Sequence, residues 1–503
     1  MKMNLTQWTT SALALALPMA AYAQTTPAAD STNAVPPVTV APPAPSAGLL
    51  NDWLREQSPF FNPWDLGGQF RARLEVKDYI DTPGQAEQVA FRRTGGDANN
   101  TYLLLRQRIH LGYNESWFNV FLEGQESSST GDKRNPNLES DQFDLHQGYV
   151  TLGNLQEFPL QAKVGRQELS YGDERLIGPF DWNNIGRSFD AIKLHYAANH
   201  TWVDAFTSHV VIPKDNHFDV SNNYDLFSGI YASTTDLLPW QESQAYFLAR
   251  NTSRNSPNFE TLALVPLPSP RDIYTPGLRF KSLPGKLHGF DYGLEADYQF
   301  GRFVGVTGAA PTATVGKSMK QEAYLLHLET GYTWAKACAP RLGLEFNYAS
   351  GDKNPTDNTH GTFDTLFPTT HAIVGIMDLY SMQNIEDVRL NFSVKPTKKF
   401  TVFTSYRGVW LATASDSFYL ANQAARTGGT VNGHNGYAIN PSYDRFVGTE
   451  VDLVLTYNFT PYAQVQGGYG HFFVGNYVQQ SLSAPGFGSV DANYVYLQTK
   501  LNF

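Results

Sequence analysis

Residues 161–196 decide the fold of this chain, and they read QAKVGRQELSYGDERLIGPFDWNNIGRSFDAIKLHY. Near the end of this stretch Lys193 lies between Ile192 and Leu194, an alternation of polar and apolar residues with the period of a β-strand. The start alternates in the same way, whereas glycines and a proline interrupt the middle and indicate a loop. The stretch therefore predicts two strands joined by a long polar loop.

The same unit recurs through the rest of the chain. Period-two alternation predicts about 18 strands, near residues 67–78, 101–113, 117–126, 142–153, 160–168, 187–197, 201–211, 225–233, 242–250, 275–281, 289–299, 320–334, 341–349, 385–395, 399–410, 444–458, 462–473 and 492–502. The short connections are 114–116, 197–200, 283–286, 395–398 and 458–461. The long connections are 80–100, 127–141, 169–186, 251–274, 350–384 and 411–443.

Short and long connections alternate along the chain. Short periplasmic turns and long extracellular loops are typical of an antiparallel β-barrel that crosses a bacterial outer membrane. We therefore predict an all-β fold, a transmembrane antiparallel barrel. A multi-domain soluble β-protein is the alternative, but nothing in sandwich folds requires so regular an alternation.

Composition agrees with a barrel. Hydrophobic residues make up 42% of the chain and aromatic residues 14%, yet the mean hydropathy is only −0.34. A helical membrane protein needs runs of about 20 apolar residues, whereas barrel strands face lipid with alternate residues only. The net charge of −10 argues against a nucleic-acid partner. Cys338 is the only cysteine, which excludes an intramolecular disulfide and any multi-cysteine metal site.

The ends of the chain indicate export. Residues 1–23 have a cationic start, a short apolar region and Ala21-Tyr22-Ala23, the features of a secretory signal peptide. Residues 24–50 form a Pro/Ala-rich segment that we interpret as a periplasmic leader, and residues 51–503 form the barrel. The last strand ends on Phe503, which resembles the insertion signal of outer-membrane barrels. We expect a monomeric barrel among outer-membrane lipids, with a leader that is free to contact a periplasmic partner of an export complex.

Alternation also predicts which side chains face the lumen. In the first strand, Leu74 and Val76 would face lipid while Arg71 and Arg73 would face inward. A solvated face of a soluble sheet would alternate equally well. Aromatic residues near strand ends favour membrane girdles instead, and they include Trp117, Tyr298, Trp334, Tyr348, Trp410, Tyr457 and Tyr462.

Two long blocks carry a resemblance to a known family. The first runs from Val164 to Asp190 and contains GRQELSYGDERLIGPFDWNNIGRSFD, and the second is SGDKNPTDNTHGTFDTLFPTTHAIVGIMD, from Ser350 to Asp378. Both resemble the alginate export family of outer-membrane porins, and the likeness extends over roughly residues 66–503. It implies an 18-stranded barrel whose narrow, arginine-lined pore passes anionic polyuronate, gated by loops and a periplasmic turn. By motif position it implies that Arg166, Glu168, Arg175, Arg187 and Asp190 form the constriction or its supporting pairs.

We therefore expect a passive channel for an anionic polysaccharide or oligosaccharide, most of all alginate-type export, with no enzymatic activity and no cofactor. Guanidinium groups bind carboxylates bidentately, although arginine–acid pairs that only stiffen the interior would look the same in sequence. The candidate pore-lining residues are Arg71, Arg73, Arg106, Arg108, Arg166, Glu168, Arg175, Arg187, Asp190, Lys193, Arg389 and Arg407. The alternatives are an uptake porin for small organic or aromatic solutes and a barrel-type lipid hydrolase or acyltransferase.

Other motifs are weak. Asp352, Asn354 and Asp357 offer oxygen ligands for calcium, but the glycine and glutamate of an EF-hand are missing, and turn chemistry explains these residues better. Residues 315–318 resemble the end of a phosphate-binding loop, yet Pro311 stands where its first glycine is required. No zinc-protease or serine-hydrolase motif occurs.

Overall fold

The structure is a computed structural model that describes residues 48–80, 90–134, 139–214, 217–253, 256, 270–307, 314–426, 430–431 and 434–503. The predicted signal peptide and the predicted leader up to residue 47 lie outside the described residues, as do parts of several long loops. No helix in the described ranges is long and apolar enough to cross a membrane, a finding that has no bearing on a membrane β-barrel.

The described residues form a closed antiparallel barrel of 18 strands. Its strands are β1 (Trp64–Asp78), β2 (Asn100–Asn114), β3 (Phe118–Thr130), β4 (Asp141–Leu152), β5 (Leu160–Gln167), β6 (Phe189–Ala198), β7 (Thr201–Ile212), β8 (Val220–Leu238), β9 (Gln241–Thr252), β10 (Arg271–Ser282), β11 (Phe290–Thr307), β12 (Thr314–Thr333), β13 (Arg341–Ala349), β15 (Ile385–Val394), β16 (Phe400–Leu411), β19 (Phe446–Asn458), β20 (Ala463–Val474) and β21 (Ala492–Asn502). Three two-residue strands lie in the long loops: β14 (Thr359–His360), β17 (Thr430–Val431) and β18 (His434–Asn435).

The barrel closes between its first and last strands. Strand β21 pairs with β1 from Asn502 opposite Gln69 to Asn493 opposite Asp78, and β1 pairs on its other side with β2. Every predicted barrel strand is confirmed. The largest differences in extent are at β8, β11 and β12, which are longer than predicted.

The predicted alternation of faces is also confirmed. In β1 the side chains of Leu74 and Val76 are 43% and 37% exposed on the outside, whereas Arg71 and Arg73 are buried in the interior. Because each strand alternates in this way, apolar side chains cover the outer face and polar side chains fill the inner one. Of the predicted girdle residues, those with more than a third of their surface exposed are Trp117, Tyr298, Trp334 and Tyr457.

A helix precedes the first strand, and the sequence patterns did not predict it. Helix α1 (Leu49–Gln57) begins after the extended Gly48 and ends before Pro59, which cannot continue a helix. The buried Asn51 donates to the Asp65 carboxylate at 2.6 Å and accepts from the backbone N–H of Leu66 at 2.5 Å. The helix is therefore fixed to the start of the barrel wall.

Two long loops fold into the barrel. They connect β5 to β6 (residues 168–188) and β13 to β15 (residues 350–384), and the second contains helix α2 (Thr370–Val374). Helix α3 (Asn476–Ser483) lies in the last long loop. Apolar residues of the second loop, such as Leu366 and Phe367, are fully buried and pack in one cluster with wall residues. The interior thus contains an apolar core as well as charged side chains, because the loops bury apolar surface there.

Candidate functional site

The loop of residues 168–188, which we call the crossing loop, traverses the barrel interior. Around Asp173 and Arg175 it contacts side chains of β10, β11 and β13. Its residues 181–184 contact β1, β2 and β3. These two groups of strands are separated in the closed sheet, so the loop narrows the pathway through the barrel.

Two arginines of the wall hold the backbone of the crossing loop. Arg71 donates to the carbonyl oxygens of Asp181 at 2.6 Å and Asn183 at 3.0 Å, and to the side-chain oxygen of Asn184 at 3.3 Å. Arg106 forms an ion pair with the Asp181 carboxylate at 2.8 Å. Both arginine side chains are almost fully buried. In this conformation they position the loop and do not face a permeating solute.

The Asp181 carboxylate is part of this attachment yet stays in contact with water, with 44% of its side chain exposed. Burial inside the barrel favours the neutral acid, but Arg106, Arg108 and Arg71 outweigh burial and hold the pKa of Asp181 well below its ordinary value. The carboxylate therefore stays ionised across the neutral and mildly acidic range, and its ion pairs persist there.

Trp182 joins the crossing loop to the second inward loop. The guanidinium carbon of Arg73 lies 3.8 Å from the centre of the Trp182 ring. The ring of His371, from the loop of residues 350–384, stacks on Trp182 with a 3.7 Å centroid distance and a 3° angle. Tyr496 contacts the same ring edge-on at 5.0 Å. A cation–π contact and two aromatic contacts thus connect both loops to the wall.

The other side of the crossing loop is held by ion pairs. Asp173 accepts from Arg279 at 2.8 Å and from Lys281 at 2.6 Å, and Arg175 pairs with Glu295 at 3.0 Å. Burial acts to raise the pKa of Asp173, but Arg279 and Lys281 outweigh it and lower this pKa to about 2. This attachment is therefore intact at neutral pH.

Three further predicted pore arginines also bind protein groups. Arg187 donates to the carbonyl oxygens of Gly178 at 3.1 Å and Pro368 at 3.0 Å. Arg407 is fully buried and pairs with Asp387 at 3.2 Å. Arg389 pairs with Glu345. Arg389 and Arg407 thus form arginine–acid pairs and Arg187 binds loop carbonyl oxygens, so the protein itself engages all three side chains.

A more accessible group lies where the crossing loop begins and ends. Arg166 donates to both oxygens of Asp190, at 2.9 and 3.2 Å. Glu168 lies 2.8 Å from His146 and 3.4 Å from Arg108. Burial acts to raise the pKa of Glu168, but His146 and Arg108 outweigh it and keep this pKa below its ordinary value. Asp190 and Glu168 keep about a third and a quarter of their side-chain surface exposed.

Lysines are the cations that remain most available in the interior. Lys193 lies 3.2 Å from Asp204 and is 25% exposed. Lys163 and Lys500 are half-buried, and among the residues that the structure describes neither has a carboxylate within ion-pair distance. The sequence patterns predicted Lys193 but missed Lys163 and Lys500 as candidate site residues. The alternation that predicted Lys193 also identifies both, since apolar neighbours flank Lys163 and Lys500 lies next to the outward-facing Leu501.

The weak calcium candidates form turns. Asp352 accepts from the backbone N–H of Asn354 at 3.0 Å, and Asp357 accepts from that of Thr359 at 2.6 Å. Within the described parts of the chain, no group of three or more histidine, cysteine or acidic side chains could hold a metal ion.

A closed barrel with an apolar outer face, a polar interior and a loop across the pathway is the architecture of an outer-membrane channel. A family model described as "Alginate export" matches residues 63–485. The chain therefore belongs to the alginate export family.

Solved structures with the same fold share little sequence with the chain. Pseudomonas aeruginosa OpdQ is 11% identical with a TM-score of 0.51, and the alignment covers 88% of this chain and 97% of that one. Acinetobacter baumannii OccAB1 is 10% identical, also with a TM-score of 0.51 and with coverage of 88% and 97%. Pseudomonas aeruginosa OccK3 (OpdO) is 10% identical with a TM-score of 0.50, and coverage is 87% and 96%. Among proteins with curated descriptions, none matches the chain by sequence.

Proposed function

We propose that this protein is a passive outer-membrane channel for an anionic polysaccharide or oligosaccharide, and that its substrate is an alginate-type polyuronate leaving the cell. Membership of the alginate export family supports this proposal. The crossing loop narrows the pathway, which suits an extended chain that passes end-on. The proposal assigns no enzymatic step to the protein.

The observation that carries the proposal is the set of lumen charges without partners. The chain as a whole has a net charge of −10, so an anion pathway must be local. Acidic groups of the interior, such as Asp181, Glu168 and Asp204, are paired with cations or histidines. Lys163 and Lys500 have no such partner in the described part of the chain. Lys163 and Lys500 therefore offer a passing polymer positive charge without an ion-pair partner, which favours polyanions.

The arginines contribute in a different way from the direct bidentate binding of carboxylates that the sequence predicts. Arg71, Arg106 and Arg187 hold the loops that define the width of the pathway. In this proposal arginines set the shape of the channel and lysines contact the carboxylates.

An uptake porin for small organic or aromatic solutes is the second candidate. It is favoured by the exposed carboxylates of Asp181 and Asp190, which place both signs of charge along the pathway. The two functions differ in the size and charge of the solute that enters.

Planar-bilayer recordings with the purified protein test the proposal. We expect anions to permeate in preference to cations in potassium chloride gradients, and uronate oligomers to block the current at concentrations where neutral oligosaccharides of equal length do not. Cation preference, or equal block by charged and neutral oligomers, would contradict the polyuronate assignment. Permeation of small aromatic acids without block by uronate oligomers would favour the uptake porin.

A further inference from the structure

The strand register places two lysines directly opposite each other on the inner wall. Lys163 of β5 is the cross-strand partner of Lys193 of β6. Their sequence neighbours Val164 and Ile192 face outward and are 44% and 51% exposed, so both lysines face the interior. Like charges directly opposite on neighbouring strands destabilise a sheet. Negative charge that joins such a pair offsets this repulsion.

The protein supplies less negative charge than this pair requires. Asp204 lies 3.2 Å from Lys193, but the same carboxylate accepts from the Tyr171 hydroxyl at 2.7 Å and lies 2.5 Å from His195. Lys163 has no carboxylate within ion-pair distance among the described residues. The wall therefore holds one carboxylate for two ammonium groups, and that carboxylate is shared with two other groups.

An aromatic ring contacts the unpaired ammonium group of Lys163. The Lys163 nitrogen lies 3.6 Å from the centre of the Tyr149 ring, and Tyr149 stacks with Phe121 at a centroid distance of 5.3 Å. Within the described ranges the Tyr149 hydroxyl has no hydrogen-bond partner, and the side chain is half-buried at the interior surface. The Trp202 ring lies 6.1 Å from the ring of His195, which is two positions after Lys193 on β6. The Lys163 ammonium group and the Tyr149 side chain, with its free hydroxyl, thus lie together on the inner wall.

We propose that Lys163, Lys193 and the Tyr149 hydroxyl form a binding subsite for the carboxylate of one sugar residue of a passing uronate chain. The carboxylate supplies the negative charge that the opposed lysines lack, and the hydroxyl donates to it. The neighbouring rings contact the apolar C–H surface of the sugar. A carboxylated sugar has both features, whereas a simple anion has only the first. This inference rests on the proposed function, since it places one step of polyuronate passage at a defined position.

Current block by a uronate oligomer of defined length tests the subsite. The variants are Lys163→Gln and Tyr149→Phe, and the control is Lys336→Gln, which removes an exposed lysine from the short turn between β12 and β13. We expect Lys163→Gln to raise the half-blocking concentration about 5- to 30-fold, because an ammonium–carboxylate contact is lost. Tyr149→Phe should raise it about 3- to 10-fold, and Lys336→Gln should leave it unchanged.

The outcomes separate this inference from the proposed function. Absence of block in the unmodified protein would contradict the proposed function. Block of the unmodified protein that is equal in Lys163→Gln and Lys336→Gln would overturn the subsite alone. Inorganic phosphate and acetate are the comparison probes. If either competes as strongly as the uronate oligomer and depends equally on Lys163, the assignment to a carboxylated sugar is overturned. Unchanged single-channel conductance in each variant confirms that its barrel is intact.

Discussion

The wall formed by β1 and β2 and the wall formed by β5 and β6 both direct cations inward, but the two groups of cations differ in their partners. Arg71 and Arg106 on the first wall are buried against the crossing loop. Lys163 and Lys193 on the second wall are opposed, partly exposed and short of negative charge. The guanidinium group donates several hydrogen bonds in a fixed plane and suits backbone carbonyls, whereas the ammonium group is a compact point charge. An inward-facing charge is therefore not enough to identify a ligand-binding residue. The charge must also be exposed and free of a protein partner.

The largest effect on single-channel conductance should come from releasing the crossing loop from the wall formed by β1 and β2. Arg71→Met removes donors to Asp181, Asn183 and Asn184 and leaves the Asn183 carbonyl and the Asn184 side-chain oxygen without these donors, at a cost of about 2–4 kcal/mol. The attached state should then be disfavoured by roughly 30- to 900-fold relative to the released state. We expect a higher single-channel conductance with more frequent fluctuations.

Arg341→Met is the matched control for this variant. Arg341 faces the interior and binds Asp291 and Asn391, with no contact to the crossing loop. Loss of the Arg341 side chain should leave the single-channel conductance unchanged, because the crossing loop keeps its contacts. Equal conductance of Arg71→Met and the unmodified protein would show that the loop is not held in place by this wall.

A smaller effect is expected from Trp182→Ala, which removes the ring between Arg73 and His371. The backbone of the loop keeps its bonds to Arg71, so only the connection between the two inward loops is weakened, by about 1–2 kcal/mol. Recordings should show additional short-lived openings at nearly unchanged mean conductance. Trp117→Ala, at an exposed ring of the outer girdle, is the control. Identical noise in both variants would exclude a role for the stack.

Acid should release the far side of the crossing loop within a defined pH range. The folded pKa of Asp173 is lowered to about 2 from an ordinary value of 3.8, so its stabilising contribution is complete above pH 3.8 and is lost as pH falls toward 2. Conductance should be constant from pH 7 to pH 4 and change only below that. At neutral pH, Asp173→Asn should already have the conductance that the unmodified protein reaches only in acid. A transition near pH 6 in the unmodified protein would contradict this assignment.

The smallest effect is expected from Lys500→Gln, which compares the two lysines without ion-pair partners. Lys500 is the cross-strand partner of Arg71, whose guanidinium group is bound to the crossing loop, whereas Lys163 lies opposite the partly exposed Lys193. Lys500→Gln should lower the anion-to-cation permeability ratio by a factor of about 2 and leave the half-blocking concentration of uronate oligomers nearly unchanged. Block weakened as strongly as in Lys163→Gln would show that the whole lumen field, and not a local subsite, binds the oligomer.

Much of the fold could be predicted because lipid exposure imposes a strict two-residue period on each strand. The period located the strand containing Arg71 and the strand containing Lys193, and it assigned both side chains to the interior. Helix α1 could not be predicted in this way, because it is fixed by Asn51 contacts to β1 and not by a long apolar face.

The candidate site was less predictable than the wall. Whether Arg71, Arg187 or Arg407 is free depends on where the inward loops fold, and loop positions follow no local period. The pairing of Lys163 with Lys193 was also hidden, because a loop as long as residues 168–188 does not fix the register of its strands. Both residues lie on lumen-facing positions that the alternation identifies, but their availability follows only from the contacts.

The most direct test of the channel account is the current through single purified barrels while a uronate oligomer is added to one side. The account predicts an anion-preferring pore that the oligomer blocks in a concentration-dependent way and that a neutral oligomer of equal length leaves open. A cation-preferring pore, or a current that the uronate oligomer leaves unchanged, would contradict it.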